Sequence, residues 1–361
     1  MNSISVSINK KIDYTITIQH NIMDEINKIM KGKYTSAALI TDQNVYNHYG
    51  KAIEKVLSES GLSVKVIVIA PGDKSKSLYT TQKIYKELLS AKIQRRSVLI
   101  ALGGGVIIDT VGYIAATYMR GIPYVNIATS LIAQSDTAIG GKVAVNHPAG
   151  KNLIGAFYFP DHVFIDPQFL LSLSPRDMRS GMAEIIKTAV ISDVRLFEEL
   201  EKTAVKAITK KDMSILTRIL KETVQLKLKL LEPDPFEVDL RRILNFGHTV
   251  GHAIEKVESY RGIRHGEAVA VGMAVASQIS INRGIAKEAG ERIINLIRKC
   301  GLPITTKVAI EEVINAMQII KMIRNSKLNY VIPTNTIGEM LIINDLEEKE
   351  IAAAFYSINK I

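Results

Sequence analysis

His248 and His252 stand four residues apart in Asn245-Phe246-Gly247-His248-Thr249-Val250-Gly251-His252, so a helix there projects both imidazoles from one face, with Glu255 three residues further on the same side. A third histidine follows in His265-Gly266-Glu267, which places three of the chain's 7 histidines in one short stretch. Two imidazoles and a carboxylate make an open zinc-type site whose remaining position accepts a substrate oxygen. Thr249 stands where a zinc protease of the H-E-x-x-H type needs its glutamate, which excludes that chemistry. The competing reading is a set of core or surface histidines that bind nothing. A second carboxylate candidate is Glu184 in Gly181-Met182-Ala183-Glu184-Ile185-Ile186-Lys187, where Glu184 and Lys187 share a helical face. An exposed ion pair has the same spacing.

Gly103-Gly104-Gly105 follows an apolar strand-like run, Val98 to Leu102, and precedes an apolar helix beginning near Val106. Glycines there let backbone approach a pyrophosphate, and the helix N-terminus offers it N–H groups. The spacing is not G-x-G-x-x-G, and a tight structural turn reads the same way. In the helical pattern Met213 to Leu231, Leu216, Leu220, Val224, Lys227 and Leu231 form one stripe that Lys227 interrupts. A buried charge is costly unless paired, so Lys227 either snorkels or faces an anionic ligand. Further cations gather in Gly140-Gly141-Lys142 and Gly150-Lys151-Asn152, and Arg120 closes the helix after the glycine turn.

The elements that must carry these residues change character along the chain. Up to about Pro167, short β-branched runs alternate with amphipathic segments, the signature of parallel strands crossed by helices. Strands are expected at Ala37 to Thr41, Val64 to Ala70, Val98 to Leu102, Tyr124 to Ala128 and His162 to Ile165, after an opening hairpin of Ile4 to Ile8 and Tyr14 to Ile18. From Ser172 onward helical periodicity dominates, as in Met213 to Leu231 and Ala268 to Asn282. The expected architecture is an α/β nucleotide-binding domain over residues 1–170 and an all-α metal- and substrate-binding domain over residues 171–361, tightly packed because no Pro-rich or low-complexity linker divides them.

With 361 residues, 47% hydrophobic and 23% charged, the chain has the composition of a globular protein of two domains. No apolar run reaches the roughly 18 residues of a membrane span. The stretch Met1 to Lys11 lacks the apolar core of a secretory signal, and the single cysteine, Cys300, forms no internal disulfide, so a reducing cytoplasm is the expected home. A formal charge of +10 allows nucleic acid, an anionic membrane surface or an acidic substrate as partner. The basic tracts are short and carry no interleaved aromatics, so most lysines read as solvated surface.

Leu99-Ile-Ala-Leu-Gly-Gly-Gly-Val106, Ser135-Asp136-Thr-Ala-Ile-Gly-Gly-Lys142, Asn146-His-Pro-Ala-Gly-Lys-Asn-Leu-Ile-Gly-Ala-Phe157, Ala183-Glu-Ile-Ile-Lys187, Asn245 to Glu255 and His265-Gly-Glu-Ala-Val-Ala270 resemble, in this order and over essentially the whole chain, the motifs of 3-dehydroquinate synthases. The resemblance implies a dehydroquinate synthase-like fold and a divalent ion, zinc or cobalt, on Glu184, His248 and His265. It implies substrate contacts at Asp136, Lys142, Lys151, Asn152, Lys187, Lys227, Arg241, Asn245 and His252, with Arg120 supplied by the neighbouring subunit of a homodimer. The matching NAD positions are Asp42, Asn44, Asp73, Lys76, Gly104, Gly105, Val106, Asp109, Thr129 and Ser130, joined by Lys142 and Lys151.

The implied reaction is that of the shikimate pathway to aromatic amino acids. A C5 hydroxyl is oxidised with NAD, phosphate leaves by β-elimination, the hydride returns, the ring opens and an aldol step closes the carbocycle. The implied substrate is 3-deoxy-D-arabino-heptulosonate 7-phosphate. Several positions depart from the family pattern: Ile108 replaces a glycine, with bulk expected to crowd the cofactor; Ala128 replaces a proline, Asp73 a glutamate, Asp239 a glycine, and Asn325-Ser326-Lys327 an Asp-Lys-Lys. Ser135-Asp136-Thr137 leans toward 2-deoxy-scyllo-inosose synthases, whereas Gly140-Gly141-Lys142 and Asn146-His147-Pro148 follow the dehydroquinate pattern. A metal-dependent polyol dehydrogenase, which would release NADH and a ketone, joins similar domains. A basic nucleic-acid-binding protein would leave the histidine cluster without purpose.

Overall fold

The computed structural model describes residues 12–148, 150–238, 243–258, 262–323 and 329–359. Six strands form one parallel sheet in the order β1 (Thr15–Ile18), β8 (His162–Ile165), β5 (Tyr124–Ala128), β4 (Val98–Gly103), β2 (Ser36–Asp42) and β3 (Ser63–Ile69). The five expected strands of this sheet are all present. Because helices cover both faces, its central strands read as continuous apolar runs: β4 and β5 are buried at every position. One face packs on α1 (Met23–Met30) and, beyond the single turn α2 (Gln43–Val45), on α3 (Lys51–Glu59), through Ile26, Met30, Ile53 and Leu57 against Leu39, Ile100 and Ile127. The other face is continuous with the core of the helical half. Tyr14 to Ile18 contributes β1, an edge strand parallel to β8, while its expected hairpin partner, Ile4 to Ile8, lies outside the described residues, as do Asp239, Arg241 and Asn325-Ser326-Lys327.

The chain leaves β2 for β3 on one side and returns to β4 on the other, through α4 (Leu78–Ser90), which opens a crevice beyond the C-terminal ends of β2 and β4. Open parallel sheets bind ligands at such a switch point. The helix that starts there, α5 (Gly105–Thr117), has Gly104 as N-cap and no side-chain cap, whereas α4 is capped by Ser77. Side-chain caps also close α6 (Pro175–Ser192) through Ser174, α7 (Val194–Lys210) through Asp193 and α8 (Met213–Leu231) through Asp212. The uncapped first turn of α5 therefore keeps its N–H groups for an anion.

Between β5 and β8 the chain makes an antiparallel hairpin, β6 (Lys142–His147) and β7 (Gly150–Phe157), where the sequence pattern marks only loops. It docks against the turn before α4, where Asn146 N–H donates to the Lys76 carbonyl at 2.9 Å. The second half follows the helical expectation with one addition, a short hairpin of β9 (Tyr330–Pro333) and β10 (Met340–Ile343). At its centre α10 (His265–Asn282) is buried along nearly its whole length, against α6, α9 (His248–Val257), α11 (Lys287–Lys299) and α13 (Glu348–Ile358), while α12 (Ile310–Ile323) packs on α9. Glycine permits this crossing: a Cβ at Gly266 would lie 1.9 Å from the Ser180 carbonyl oxygen of α6. Gly247, with φ of +77°, turns the chain sharply into α9 just before His248. No helix among the described residues is long and apolar enough to cross a membrane.

Candidate active site

Glu184 on α6, His248 on α9 and His265 on α10 meet where the three helices cross. His265 Nε2 is 3.5 Å and His248 Nε2 3.7 Å from Glu184 Oε1, while Lys187, one turn along α6, places Nζ 2.5 Å from Oε2. Both Glu184 oxygens are buried, and among the described residues neither takes part in a hydrogen bond of good geometry. An anionic oxygen in that state calls for a cation, and two imidazole nitrogens aimed at it complete a donor set suited to a divalent ion. Their ligand atoms all lie within 4.8 Å of one another. The residues present therefore fit the ion the family resemblance implies.

A second trio, His252, Glu255 and His265, satisfies the same distance criterion. Glu255 differs from Glu184 in being bonded: Oε2 lies 3.3 Å from His265 Nδ1, and Oε1 accepts from Lys151 Nζ at 3.2 Å. The imidazole left unassigned by the His248/His252 spacing thus falls beside the centre, with the His252 ring centroid 5.2 Å from His248 and 5.9 Å from His265.

Electrostatics follow from this crowding. Burial would raise the Glu184 carboxyl, but the Lys187 ammonium, with His248 and His265, holds it well below the usual carboxylate range. Burial, reinforced by Lys187, pushes His248 well below the ordinary imidazole value. Against burial, Glu184 and Glu255 raise His265 to about 9. A proton and a metal ion compete for the same Nε2 lone pair, so metal entry releases that proton.

Beyond the helix crossing lie the cations. Lys227 is 8% exposed and pairs with Asp136, which rules out simple snorkelling; burial pushes its ammonium down to about 7. Lys142, at the start of β6, pairs with Glu237. On β7, Lys151 reaches both Glu255 and Asp73, the latter at 3.4 Å. Asn152, with φ of +56°, accepts through Oδ1 from Lys76 Nζ at 2.5 Å, and Lys76 also pairs with Asp109. Burial raises the Asp109 carboxyl in spite of that lysine. Asn146 steadies the group, its Oδ1 accepting from Asn152 N–H and its Nδ2 donating to Asp73, both at 3.2 Å.

At the switch point, Asp42 ends β2 and its Oδ1 accepts from the backbone N–H groups of Asn44 and Val45 at 2.9 and 3.1 Å. Across the crevice, Thr129 N–H donates to the Gly103 carbonyl at 3.0 Å, and a Cβ at Gly104 would stand 3.0 Å from Ser130 Oγ. Gly104 and Gly105 add no side chain of their own beside Ser130 and Thr137, whose hydroxyls would stand 3.0 and 3.3 Å from a Cβ there, and so leave the backbone open to the close approach a dinucleotide pyrophosphate requires. Ile108, one turn into α5, is 1% exposed and packs in the core that the sheet shares with the helical half. Val106 is half-buried in the first turn of α5.

Two of the predicted contacts are not brought to this cluster by one chain's described residues. Arg120 sits on an exposed turn after α5, where Met119 and Arg120 both have positive φ, and Arg241 lies outside the described residues. Asn245 ends a short 3-10 turn three residues before His248. Sequence reasoning missed Glu237 as the partner of Lys142 and Asn146 as the clamp on Asn152. Asn146 stood within a recognised motif, and Glu237 had no signal.

Residues 66–180 match the family described as 3-dehydroquinate synthase N-terminal, and residues 181–322 the family described as 3-dehydroquinate synthase C-terminal. The chain is 40% identical over 363 aligned positions to a 2-epi-valiolone synthase of Stigmatella aurantiaca, covering 97% of this chain and 89% of that one. It is likewise 40% identical over 345 positions to a 3-dehydroquinate synthase of Caldanaerobacter subterraneus subsp. tengcongensis, covering 94% and 96%. Among solved structures, a 2-epi-5-epi-valiolone synthase of Streptomyces hygroscopicus subsp. jinggangensis with NAD+ and Zn2+ bound superposes with a TM-score of 0.92 at 28% identity, covering 99% of both chains.

Proposed function

This chain belongs to the 3-dehydroquinate synthase family, sugar phosphate cyclases that eliminate phosphate, and on that premise we propose that it converts 3-deoxy-D-arabino-heptulosonate 7-phosphate to 3-dehydroquinate and phosphate. The observation that carries this choice of substrate is Lys227, a buried ammonium facing Asp136 instead of solvent. A substrate with a carboxylate at one end and a phosphate at the other needs two basic clusters. Lys227 with Arg241 serves the carboxylate; Lys142, Lys151, Asn152 and His252, with Arg120 contributed across a homodimer contact, serve the phosphate.

A divalent ion, zinc or cobalt, held by Glu184, His248 and His265, and NAD held at Gly104, Gly105 and Val106, would supply Lewis-acid polarisation and reversible hydride transfer respectively. The chain's own residues do the rest. Asp42, Asn44, Asp73, Lys76, Asp109, Thr129 and Ser130 line the dinucleotide crevice. Lys187 keeps Glu184 ionised, and Asp136 and Asn245 contact substrate polar groups. Burial of the cluster between the two halves excludes water from reactive intermediates.

Likeness to 2-epi-valiolone synthases over 97% of the chain favours a second reading, a sibling cyclase acting on a sugar phosphate without a carboxylate; a 2-deoxy-scyllo-inosose-type activity is of the same kind. Purified protein with NAD, a divalent metal and each candidate sugar phosphate separately, followed by phosphate release and mass spectrometry of the product, distinguishes them. Dehydroquinate from the heptulosonate phosphate is the expected result. Turnover only of sedoheptulose 7-phosphate or glucose 6-phosphate would assign the chain to a sibling, and NADH accumulating with a polyol would make it a dehydrogenase.

A further inference from the structure

We propose that Glu255 is the positioning carboxylate of the metal centre: it fixes the ring of His265 so that Nε2 faces Glu184, and through Lys151 it ties that orientation to the β6–β7 hairpin. The inference rests on the metal site proposed above. Glu255 is 2% exposed and lies on α9, two turns beyond His248 on the same face. With Nδ1–H donated to Glu255 Oε2 at 3.3 Å, the tautomer of His265 is set and the Nε2 lone pair is the one presented to Glu184 Oε1, 3.5 Å away. His248 is arranged in parallel, its Nδ1 lying 3.2 Å from the Phe246 carbonyl oxygen and its Nε2 facing Glu184. One ligand is thus oriented by a neutral carbonyl and the other by a carboxylate, the arrangement that raises ligand basicity and orders the ring.

Two observations make Glu255 an orienting group instead of a ligand. Both its oxygens are engaged, by His265 and by Lys151 Nζ at 3.2 Å, whereas Glu184 has Lys187 beside Oε2 alone and turns Oε1, which accepts no hydrogen bond among the described residues, toward the Nε2 atoms of His248 and His265. His265, moreover, presents Nδ1 to Glu255 and Nε2 to Glu184, so a metal on Nε2 leaves the Glu255 bond intact. Because Lys151 is carried by β7 and Glu255 by α9, the same carboxylate joins the nucleotide half to the metal half.

The test uses the full chain stripped of metal and titrated with Co2+, comparing wild type, Glu255→Gln, Glu255→Ala and His248→Ala. Chelator competition gives affinity, and the visible d–d bands report ligand geometry. Glu255→Gln, which keeps shape and loses charge, is expected to weaken Co2+ binding about 10-fold and Glu255→Ala up to about 100-fold, both with shifted bands and unchanged far-ultraviolet circular dichroism. If Glu255→Ala does not fold, Glu255→Gln decides. Affinity within twofold of wild type and unshifted bands in Glu255→Gln would overturn the proposal, leaving a structural ion pair. Two Co2+ per wild-type chain, one lost in Glu255→Gln, would make Glu255 a ligand and overturn it as well. A wild type that binds no Co2+, or a His248→Ala variant that binds as tightly, would remove the metal reading itself.

Discussion

Lys227 of α8 pairs with Asp136, 91 residues earlier in the chain, in the turn that follows β5, so that an ion pair joins the helical half to the nucleotide half within the candidate site. The lysine side chain is 9% exposed and the aspartate 30%, so the cation is the more deeply desolvated partner. Removing one member of a buried pair leaves the other uncompensated, at about 3–5 kcal/mol, whereas removing both is far milder. Asp136→Asn is therefore expected to destabilise more than Lys227→Met, because Asp136 retains partial hydration when left alone. The double variant should recover roughly 1–3 kcal/mol relative to the sum of the singles, as read by urea unfolding. Additive losses would show that the two side chains are independent.

The trio of Glu184, His248 and His265 predicts about one divalent ion per chain by elemental analysis, in keeping with a single three-ligand site. His265→Ala removes one ligand and an imidazole that faces both Glu184 and Glu255. Metal content should fall to near background, and activity with it. Full metal content in His265→Ala would mean that the ion sits elsewhere.

A side chain at Gly104 would intrude on the crevice at the switch point. In Gly104→Val the new Cβ would meet Ser130 alone, its rotatable Oγ at 3.0 Å and its Cβ at an ordinary 3.5 Å, and the backbone there, φ −83°, suits any residue. Folding should survive, with a melting temperature within a few degrees of wild type. NAD binding by isothermal titration should weaken about 10-fold or more, a loss of roughly 1.4 kcal/mol. Undiminished binding would move the cofactor away from this turn.

Sequence and structure agree best where a residue's environment is set by its near neighbours. Strands β2, β4, β5 and β8 were legible because parallel strands buried on both faces need uninterrupted Val, Ile, Leu and Ala, and α8 because Asp212 caps it before a regular apolar stripe. The β6–β7 hairpin was not, since its mixed burial and its glycines and lysines read as loop. Spacing alone placed His248, His252 and Glu255 on one face yet left open which carboxylate joins them, because the approach of Glu184 depends on α6 crossing α10 at Gly266. Family resemblance named Glu184; the helix crossing gives the reason. The partner of Lys227 was equally out of reach of spacing, being fixed by the docking of one half on the other.

Acid stability should depend on a histidine far from the reaction. His162 opens β8 beside β1, 4% exposed, with Nε2 2.9 Å from Thr17 Oγ1 and its ring centroid 4.2 Å from that of Phe164. Burial, aided by Lys33, lowers its pKa from 6.5 to about 4, so the folded protein holds it neutral. Between those two values the unfolded chain takes up a proton that the folded chain refuses. The contribution is therefore fully present above about pH 6.5 and is lost as pH falls toward 4, by about 3 kcal/mol at 1.36 kcal/mol per pH unit. His162→Gln removes the titration while leaving an amide to meet Thr17. Its unfolding free energy, measured in urea from pH 7.5 down to about 4, should decline less steeply than that of wild type by this amount, even if it starts lower at neutral pH because of imperfect packing. Parallel curves for the two proteins across that window would show that His162 titrates normally in the fold and that other groups govern acid unfolding.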